Sequence, residues 1–287
     1  MVLHRLAGTA TVVVTGASSG IGEASALRLD KLGFRVFAGV RREEDGAALQ
    51  RRASGQLTPL FLDVTNTSSI AASVDVVAAA VGETGLVGLV NNAGIAVAGP
   101  LEFLPVAEIR RQLEVNVIGQ IAVTQAFLPL LRLGQGRIVN VGSLAGRIAL
   151  PFLGPYNASK FALEAFTDSL RLELRPWGIR VSIIEPGFIA TPIWGKSIAA
   201  TDDIFKNLPQ RASDLYRSLL STAHKFATNA DKNGTPVDEV AKTIVQALTV
   251  ARPKTRYIVG RGSRPGTAVL EHLPDSLRDL LITWWLS

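Results

Sequence analysis

Tyr156 and Lys160 stand four residues apart in the run Y-N-A-S-K, and Ser143 precedes the tyrosine by thirteen positions. An ordinary tyrosine, with a pKa of about 10, keeps its proton at neutral pH and is a poor base. Residues four apart share one face of a helix, so the Lys160 ammonium falls one turn from the phenol. A cation there stabilises tyrosinate and is expected to lower the pKa. Tyr156 would then serve as general acid in one direction and general base in the other. Ser143 would hold and orient the same reacting oxygen, an oxyanion-type role.

A second constellation lies near the start of the chain, where T-G-A-S-S-G-I-G spans Thr15 to Gly22. Gly16, Gly20 and Gly22 sit between a short β-branched run and a stretch of helical spacing. That placement suits a tight turn, a close backbone approach to a pyrophosphate and free N–H groups at a helix N-terminus. Ser18 and Ser19 add hydroxyl donors. The glycine spacing departs from G-x-G-x-x-G and is not scored as that fingerprint. About 20 residues on, where an acidic side chain would bind a free ribose 2′-hydroxyl, stand Val40, Arg41 and Arg42. A missing carboxylate beside two guanidiniums favours a 2′-phosphate and hence NADP. Glu43, Glu44 and Asp45 dilute that field, and NAD stays open.

These residues need elements to hold them. Strands are predicted at Thr11–Thr15, Arg35–Val40, Thr58–Leu62, Leu86–Val90, Arg137–Val141, Arg180–Ile184 and Arg256–Val259. Helical patterns follow Gly20 and cover Ser68–Val81, Ala107–Leu131, Pro155–Leu174 and Thr235–Val250, while Arg41–Arg52 reads as a charged segment. Seven strands alternating with helices predict an α/β fold: one doubly wound, Rossmann-type domain over residues 1–287, its seven-stranded parallel sheet flanked by helices. Such sheets bind ligands beyond the carboxyl ends of their strands, and Gly16, Asp63, Asn91, Ser143 and Pro186 all fall there.

The ordered set resembles the short-chain dehydrogenase/reductase family from about Thr11 to Gly260, with wording similar to its steroid- and retinol-dehydrogenase-like branch. The family's glycine motif stands at Thr15–Gly22, its N-N-A-G at Asn91–Gly94, its serine at Ser143 and its Y-x-x-x-K at Tyr156 and Lys160. The resemblance adds Asn116 (L-E-V-N-V-I-G) as a catalytic residue, holding a water that joins Lys160 to solvent, and gives Lys160 a second task on the nicotinamide ribose. It implies a cofactor cleft formed by Gly16, Ser18, Ser19, Gly20, Ile21 and Gly22, with Arg41 and Arg42 at the adenosine end. Asp63 and Val64 would bracket the adenine; Asn92, Ala93 and Gly94, then Pro186, Gly187, Ile189 and Thr191, would complete the cleft with Tyr156 and Lys160. The implied activity is hydride transfer between NAD(P) and a carbonyl or alcohol, in a homodimer or homotetramer assembled through the helices around Ala107–Leu131 and Pro155–Leu174.

Composition narrows the rest. The chain of 287 residues carries a net charge of +6 with Lys and Arg scattered, which does not suit nucleic acid. It has no cysteine, and its three histidines, His4, His224 and His272, are far apart, so no metal site is expected. No run of about 20 apolar residues predicts a membrane span, and the first residues lack a signal-peptide core, so a cytoplasmic protein is expected. Leu144, Ala149, Leu150, Phe152 and Leu153, with a helical lid over 192–234 (Ile193, Trp194, Ile198, Ile204, Phe205, Leu208, Leu215, Tyr216, Phe226), would line a pocket for a hydrophobic ketone, aldehyde or alcohol. The extension 261–287, rich in leucine and carrying Trp284 and Trp285, is expected to pack on its own protein, with a dimer element or peripheral membrane contact as alternatives. Two rival functions remain: a 3-oxoacyl-thioester reductase receiving an acidic arm at Arg147, and a nucleotide-binding protein without turnover.

Overall fold

The β-branched runs form strands and the periodic stretches between them form helices in the computed structural model of the chain. It describes residues 10–193, 195, 197, 210–212, 214–216, 234–260 and 263–286. In chain order these are β1 (Thr11–Val14), α1 (Gly20–Lys31), β2 (Arg35–Val40), α2 (Glu43–Gln50), β3 (Leu57–Phe61), α3 (Thr67–Val81), β4 (Gly88–Asn91), α4 (Val106–Leu113) and α5 (Gly119–Leu133). There follow β5 (Arg137–Val141), α6 (Gly154–Glu173), β6 (Arg180–Pro186), α7 (Val237–Thr249), β7 (Arg256–Val259), α8 (Ser263–His272) and α9 (Asp275–Leu286). The strands join in the order β3-β2-β1-β4-β5-β6-β7, every neighbouring pair parallel. The doubly wound, Rossmann-type sheet expected from the sequence is present. Its order reverses between β1 and β4, so the loops leaving these two strands diverge to opposite faces and open a crevice.

Both faces are covered, as strands that are apolar on both sides require. In β1, Val12 and Val14 pack with Ala26 and Leu29 of α1 and with Val240, Ile244 and Leu248 of α7. Val13 points the other way, to a layer holding Ile70 and Val77 of α3 and Phe127 and Leu131 of α5. The charged segment after β2 is a helix, α2, which sequence periodicity missed because only Gly46 and Leu49 are buried along it.

The long helical pattern at Ala107–Leu131 forms, but not as one regular helix. A wider π-turn, Glu114–Ile118, separates α4 from α5 and turns Asn116 and Val117 inward. The whole run Val106–Leu133 is long and apolar enough to cross a bilayer, with a mean hydropathy of 1.3 over its most apolar stretch. That corrects the expectation of no such stretch. Its apolarity is accounted for by packing, since Val123, Phe127, Leu130 and Leu131 are core residues against the sheet.

Most of the expected lid lies outside the described residues, including Trp194, Ile198, Ile204, Phe205, Leu208 and Phe226. The C-terminal extension divides in two. Helix α8 lies against β7 with Thr267 buried, whereas α9 leaves Leu277, Leu280, Leu281 and Trp284 exposed. The expectation that the tail packs on its own protein therefore holds for α8 and fails for α9, whose apolar stripe faces outward.

Phe127 is fully buried in the second layer. Replacing it with alanine is expected to cost about 3–5 kcal/mol. Urea unfolding would show this as a lower midpoint with an unchanged slope.

Candidate active site

Ser143, Tyr156 and Lys160 meet at the carboxyl end of β5. Ser143 leaves that strand and accepts the Ala145 N–H at 3.1 Å, which starts a tight turn over Leu144–Gly146. Tyr156 and Lys160 lie one turn apart on α6, both buried, with the Lys160 Nζ 5.7 Å from the centre of the tyrosine ring. That ammonium donates to the Val141 carbonyl at 2.8 Å, tying α6 to the end of β5. Burial pushes Lys160 down to about 8, and the charge of Glu164 opposes the fall. Burial also raises the Tyr156 phenol above its ordinary value, and a hydrogen bond with Ser143 only partly offsets this. The lowered phenol expected from the sequence counts the positive ring of an oxidised cofactor beside Lys160; in the protein alone, loss of water is the largest influence on Tyr156.

Asn116 is fully buried behind this group. Its Oδ1 accepts the Ile95 N–H at 2.9 Å, while Nδ2 donates to the Ile95 carbonyl and to Ser159 Oγ at 3.0 and 3.2 Å. Both N–H groups are taken by protein acceptors, so the amide braces the loop after β4 and has no donor left for a water. Ser159 in turn donates to the Tyr156 carbonyl at 2.7 Å, so the brace reaches the helix that carries the tyrosine.

The glycine motif forms the other end. Gly16 has φ +63, and a Cβ there would stand 2.7 Å from the Ala93 Cα. Gly22 allows α1 to close on the loop, since its Cβ would lie 2.2 Å from the Gly16 carbonyl oxygen. Thr15 Oγ1 accepts the N–H groups of Asn92 and Ala93 at 2.9 and 3.0 Å, and Asn92 Nδ2 donates to the Thr15 and Gly16 carbonyls at 3.0 Å. The two loops at the switch point are thus joined. Ser19 caps α1 without a side-chain capping bond, which leaves its hydroxyl and the first amides for an anion.

One cleft of about 1400 Å³, counting its open mouth, connects the two ends. Its length, from the glycine motif to the Tyr156 phenol, suits an extended ligand with a second small molecule beside it. It is lined by Gly16, Ser18, Ser19, Gly20, Ile21, Arg41, Asp63, Val64, Asn92, Ala93, Gly94, Asn116, Ser143, Tyr156, Lys160, Pro186, Gly187, Ile189 and Thr191. Two expected residues are not on its wall. Gly22 packs beneath it, and Arg42 turns away to bind Asp45 through Nε and Nη2, each at 2.9 Å. The acidic residue three positions on captures that guanidinium, so the expected pair of arginines is reduced to Arg41. Asp63 faces Arg41; burial works to raise its carboxyl, but hydrogen bonds from Thr65 and the Arg41 charge outweigh that and hold it below the usual range. Sequence reasoning missed Gly39, Leu62, Thr65, Ile95, Val115 and Gly142 on the wall. Five of them are apolar or glycine in ordinary strand-end, helix or loop runs, and no side-chain chemistry announces them.

Next to the tyrosine the surface turns apolar. Ala96, Ala145 and Tyr156 cluster, with Leu153 and Ile193 packed against them. Further out, Tyr216 stands edge-on to Phe103 and Phe152, ring centres 6.0 Å apart in each case, and donates to Glu102 at 2.9 Å. Phe152 holds φ +63, an uncommon conformation for an aromatic residue, braced by the Gly99 N–H on its carbonyl at 2.8 Å. Leu215 is exposed, and Leu144, Ala149 and Leu150 do not join the apolar cluster around Tyr156.

Comparison with known proteins agrees with this geometry. The family model described as short chain dehydrogenase matches residues 10–202. The chain is 40% identical over 280 residues to 17-beta-hydroxysteroid dehydrogenase type 6 of Bos taurus, covering 95% of this chain and 87% of the relative. It is 38% identical over 286 residues to retinol dehydrogenase 5 of Mus musculus, covering 98% and 90%. Among solved structures, a short-chain dehydrogenase from Streptomyces avermitilis superposes with a TM-score of 0.75 at 27% identity, covering 96% of each chain. A sheet with this switch point, a glycine cradle at one end of its cleft and a buried Tyr–Lys pair at the other therefore have one common explanation: the chain belongs to the short-chain dehydrogenase/reductase family, in its steroid- and retinol-dehydrogenase-like branch, and is an oxidoreductase acting on CH–OH groups with NAD(P).

Proposed function

We propose that the enzyme interconverts a hydrophobic ketone or aldehyde, of steroid or retinoid type, and its alcohol, preferring NADP and using Tyr156 as general acid and base. The observation that carries this is the position of the Tyr156 phenol, buried between Lys160 and Ser143 on the cleft and bordered by the apolar group Ala96, Leu153 and Ile193. The names of the two relatives, a hydroxysteroid and a retinol dehydrogenase, support the substrate class.

The bound nicotinamide supplies the chemistry of hydride exchange with the substrate carbon. Ser143 orients the substrate oxygen beside the Tyr156 phenol on the same cleft wall. In reduction the phenol gives its proton to that oxygen; in oxidation the phenolate takes it. Lys160 stabilises the phenolate through its charge, and its bond to the Val141 carbonyl fixes the ammonium in place. Leu153 and Ile193 keep water from the reacting atoms. At the far end, Ser18, Ser19 and the first amides of α1 hold the pyrophosphate, and Arg41 beside Val40 receives a 2′-phosphate. A thioester with an acidic arm fits less well, because Arg147 is half-buried and engaged by Glu185 and Glu271. The complete Ser143, Tyr156 and Lys160 group speaks against a protein without turnover.

The outer surfaces of α5 and α6 support a homodimer. Leu133 is 59% exposed on α5, and Phe161, Phe166 and Leu172 are 44%, 41% and 60% exposed on α6. Large apolar side chains left exposed on two neighbouring helices suit a protein interface.

Three outcomes are expected. Tyr156→Phe should lose about a hundred- to ten-thousandfold in kcat yet bind NADPH like the wild type in a fluorescence titration; normal turnover would sink the assignment. Arg41→Ala should weaken NADPH binding about tenfold with little effect on NADH, and an equal loss for both cofactors would remove the 2′-phosphate role. Light scattering at micromolar concentration should give twice the chain mass, whereas a monomer would refute the dimer.

A further inference from the structure

Behind the candidate site lies a cluster of charges that the proposed chemistry does not use. Glu185, fully buried on β6, precedes Pro186, whose carbonyl lies 3.5 Å from Ser143 Oγ. Glu164, also buried, stands one turn after Lys160 on α6. Arg256 of β7 reaches Glu164 at 3.1 Å, Glu185 at 3.3 Å and Asp168 at 2.6 Å. Arg147, which closes the turn carrying Ser143, reaches Glu185 at 3.3 Å and forms a second ion pair with Glu271 of α8. Arg171 adds an outer contact to Asp168 at 3.3 Å. Every element packed here contributes: the Ser143 turn, α6 (Lys160, Glu164, Asp168, Arg171), β6, β7 and α8.

Two oxygens of this cluster, Glu164 Oε1 and Glu185 Oε2, are buried and have no hydrogen-bond donor from the rest of the protein. One proton held between the two carboxyl groups satisfies both. Burial and the neighbouring Glu185 raise Glu164 to about 7, and burial also raises Glu185. Four cations, Lys160, Arg147, Arg171 and Arg256, stand among the four carboxyl groups Glu164, Glu185, Asp168 and Glu271, and the two carboxyls with unpartnered oxygens are the pair that shares the proton.

We propose that Arg147 is a positioning residue for Ser143 and that the C-terminal helix α8, through Glu271, completes the buried charge cluster that holds it. The guanidinium spans two anchors. Glu185 belongs to the strand that delivers Pro186 and Gly187 to the cleft, and Glu271 belongs to a helix none of whose described residues lines it. Between them the turn Leu144–Gly146 is pressed onto α6, where a Cβ on Gly146 would stand 2.8 Å from the Lys160 carbonyl oxygen. Loss of the outer anchor leaves Arg147 to Glu185 alone and frees the turn, and with it the Ser143 hydroxyl, to shift. Docking of the C-terminal extension is thereby a condition for full turnover.

This inference rests on the proposed role of Ser143, so the test separates the two. Glu271→Gln, Glu271→Asp and Ser143→Ala are compared with the wild type in the full chain, using retinol and a 17β-hydroxysteroid as alcohol probes. Amide exchange is followed at Ala145, Gly146, Arg147 and Ile148, whose N–H groups bond back to Ser143 or Leu144. Glu271→Gln should turn over about tenfold more slowly, bind NADPH normally and exchange faster at these four amides, with Glu271→Asp recovering part of the loss. The negative charge of Glu271 raises Glu185. Its removal should therefore release the shared proton more readily and move the inflection of kcat near pH 7 toward acid. Wild-type exchange at the four amides overturns the proposal, and so does slower turnover with an unmoved inflection, which marks a general loss of structure. Normal turnover by Ser143→Ala would refute the role of Ser143 instead, and the exchange data would still judge the tie between α8 and the turn.

Discussion

A buried ammonium governs the architecture around the cleft. Lys160 is 5% exposed, and removing such a charge from water is costly unless oxygen atoms replace the lost hydration. The Val141 carbonyl is one replacement and the field of Glu164 another. Supplying them requires α6 to lie tightly against the ends of β5 and β6. That contact in turn requires glycine at position 146 and a short turn after Ser143. The demands of this cation thus hold α6 against β5, alongside the Asn116 brace and the Arg147 cluster.

Much of this was legible in the sequence. The strand runs, the glycine cradle, the N-N-A-G loop and the Ser143, Tyr156 and Lys160 spacing all fall where the sheet places them, because periodicity and turn chemistry are local properties. What stayed hidden depends on distant partners. The Asp45 carboxylate that pairs with Arg42, and the Ile95 and Ser159 groups that engage the Asn116 side chain, are contacts no local run announces. The helix α2 was invisible because only two of its residues are buried. The acid pair Glu164 and Glu185 lies on two elements 21 positions apart in the chain, and nothing in either local run announces that they meet.

The two halves of the C-terminal extension obey different physics. Helix α8 is tied down by a charge-assisted contact from Glu271 to a half-buried arginine, where exclusion of water strengthens the attraction. On helix α9 the ion pair of Arg278 with Asp275 is largely exposed and contributes little. Its leucines and Trp284 repeat at three- and four-residue spacing along one outward face. The first helix is thus part of the enzyme body, and the second is an amphipathic appendage whose apolar side the body does not cover.

The raised pKa of Tyr156 bears on direction. In the proposed reaction, carbonyl reduction needs the phenol protonated, and burial would favour that form beside a reduced, uncharged nicotinamide ring. Alcohol oxidation needs the phenolate, and an oxidised ring brings a positive charge that joins Lys160 in stabilising it. A tyrosine already lowered by Lys160 in the protein alone would be a ready base but a depleted acid. In the proposed reaction, burial would therefore hold Tyr156 as the acid when no cation joins it, and the charge of an oxidised ring, added to that of Lys160, would favour it as the base.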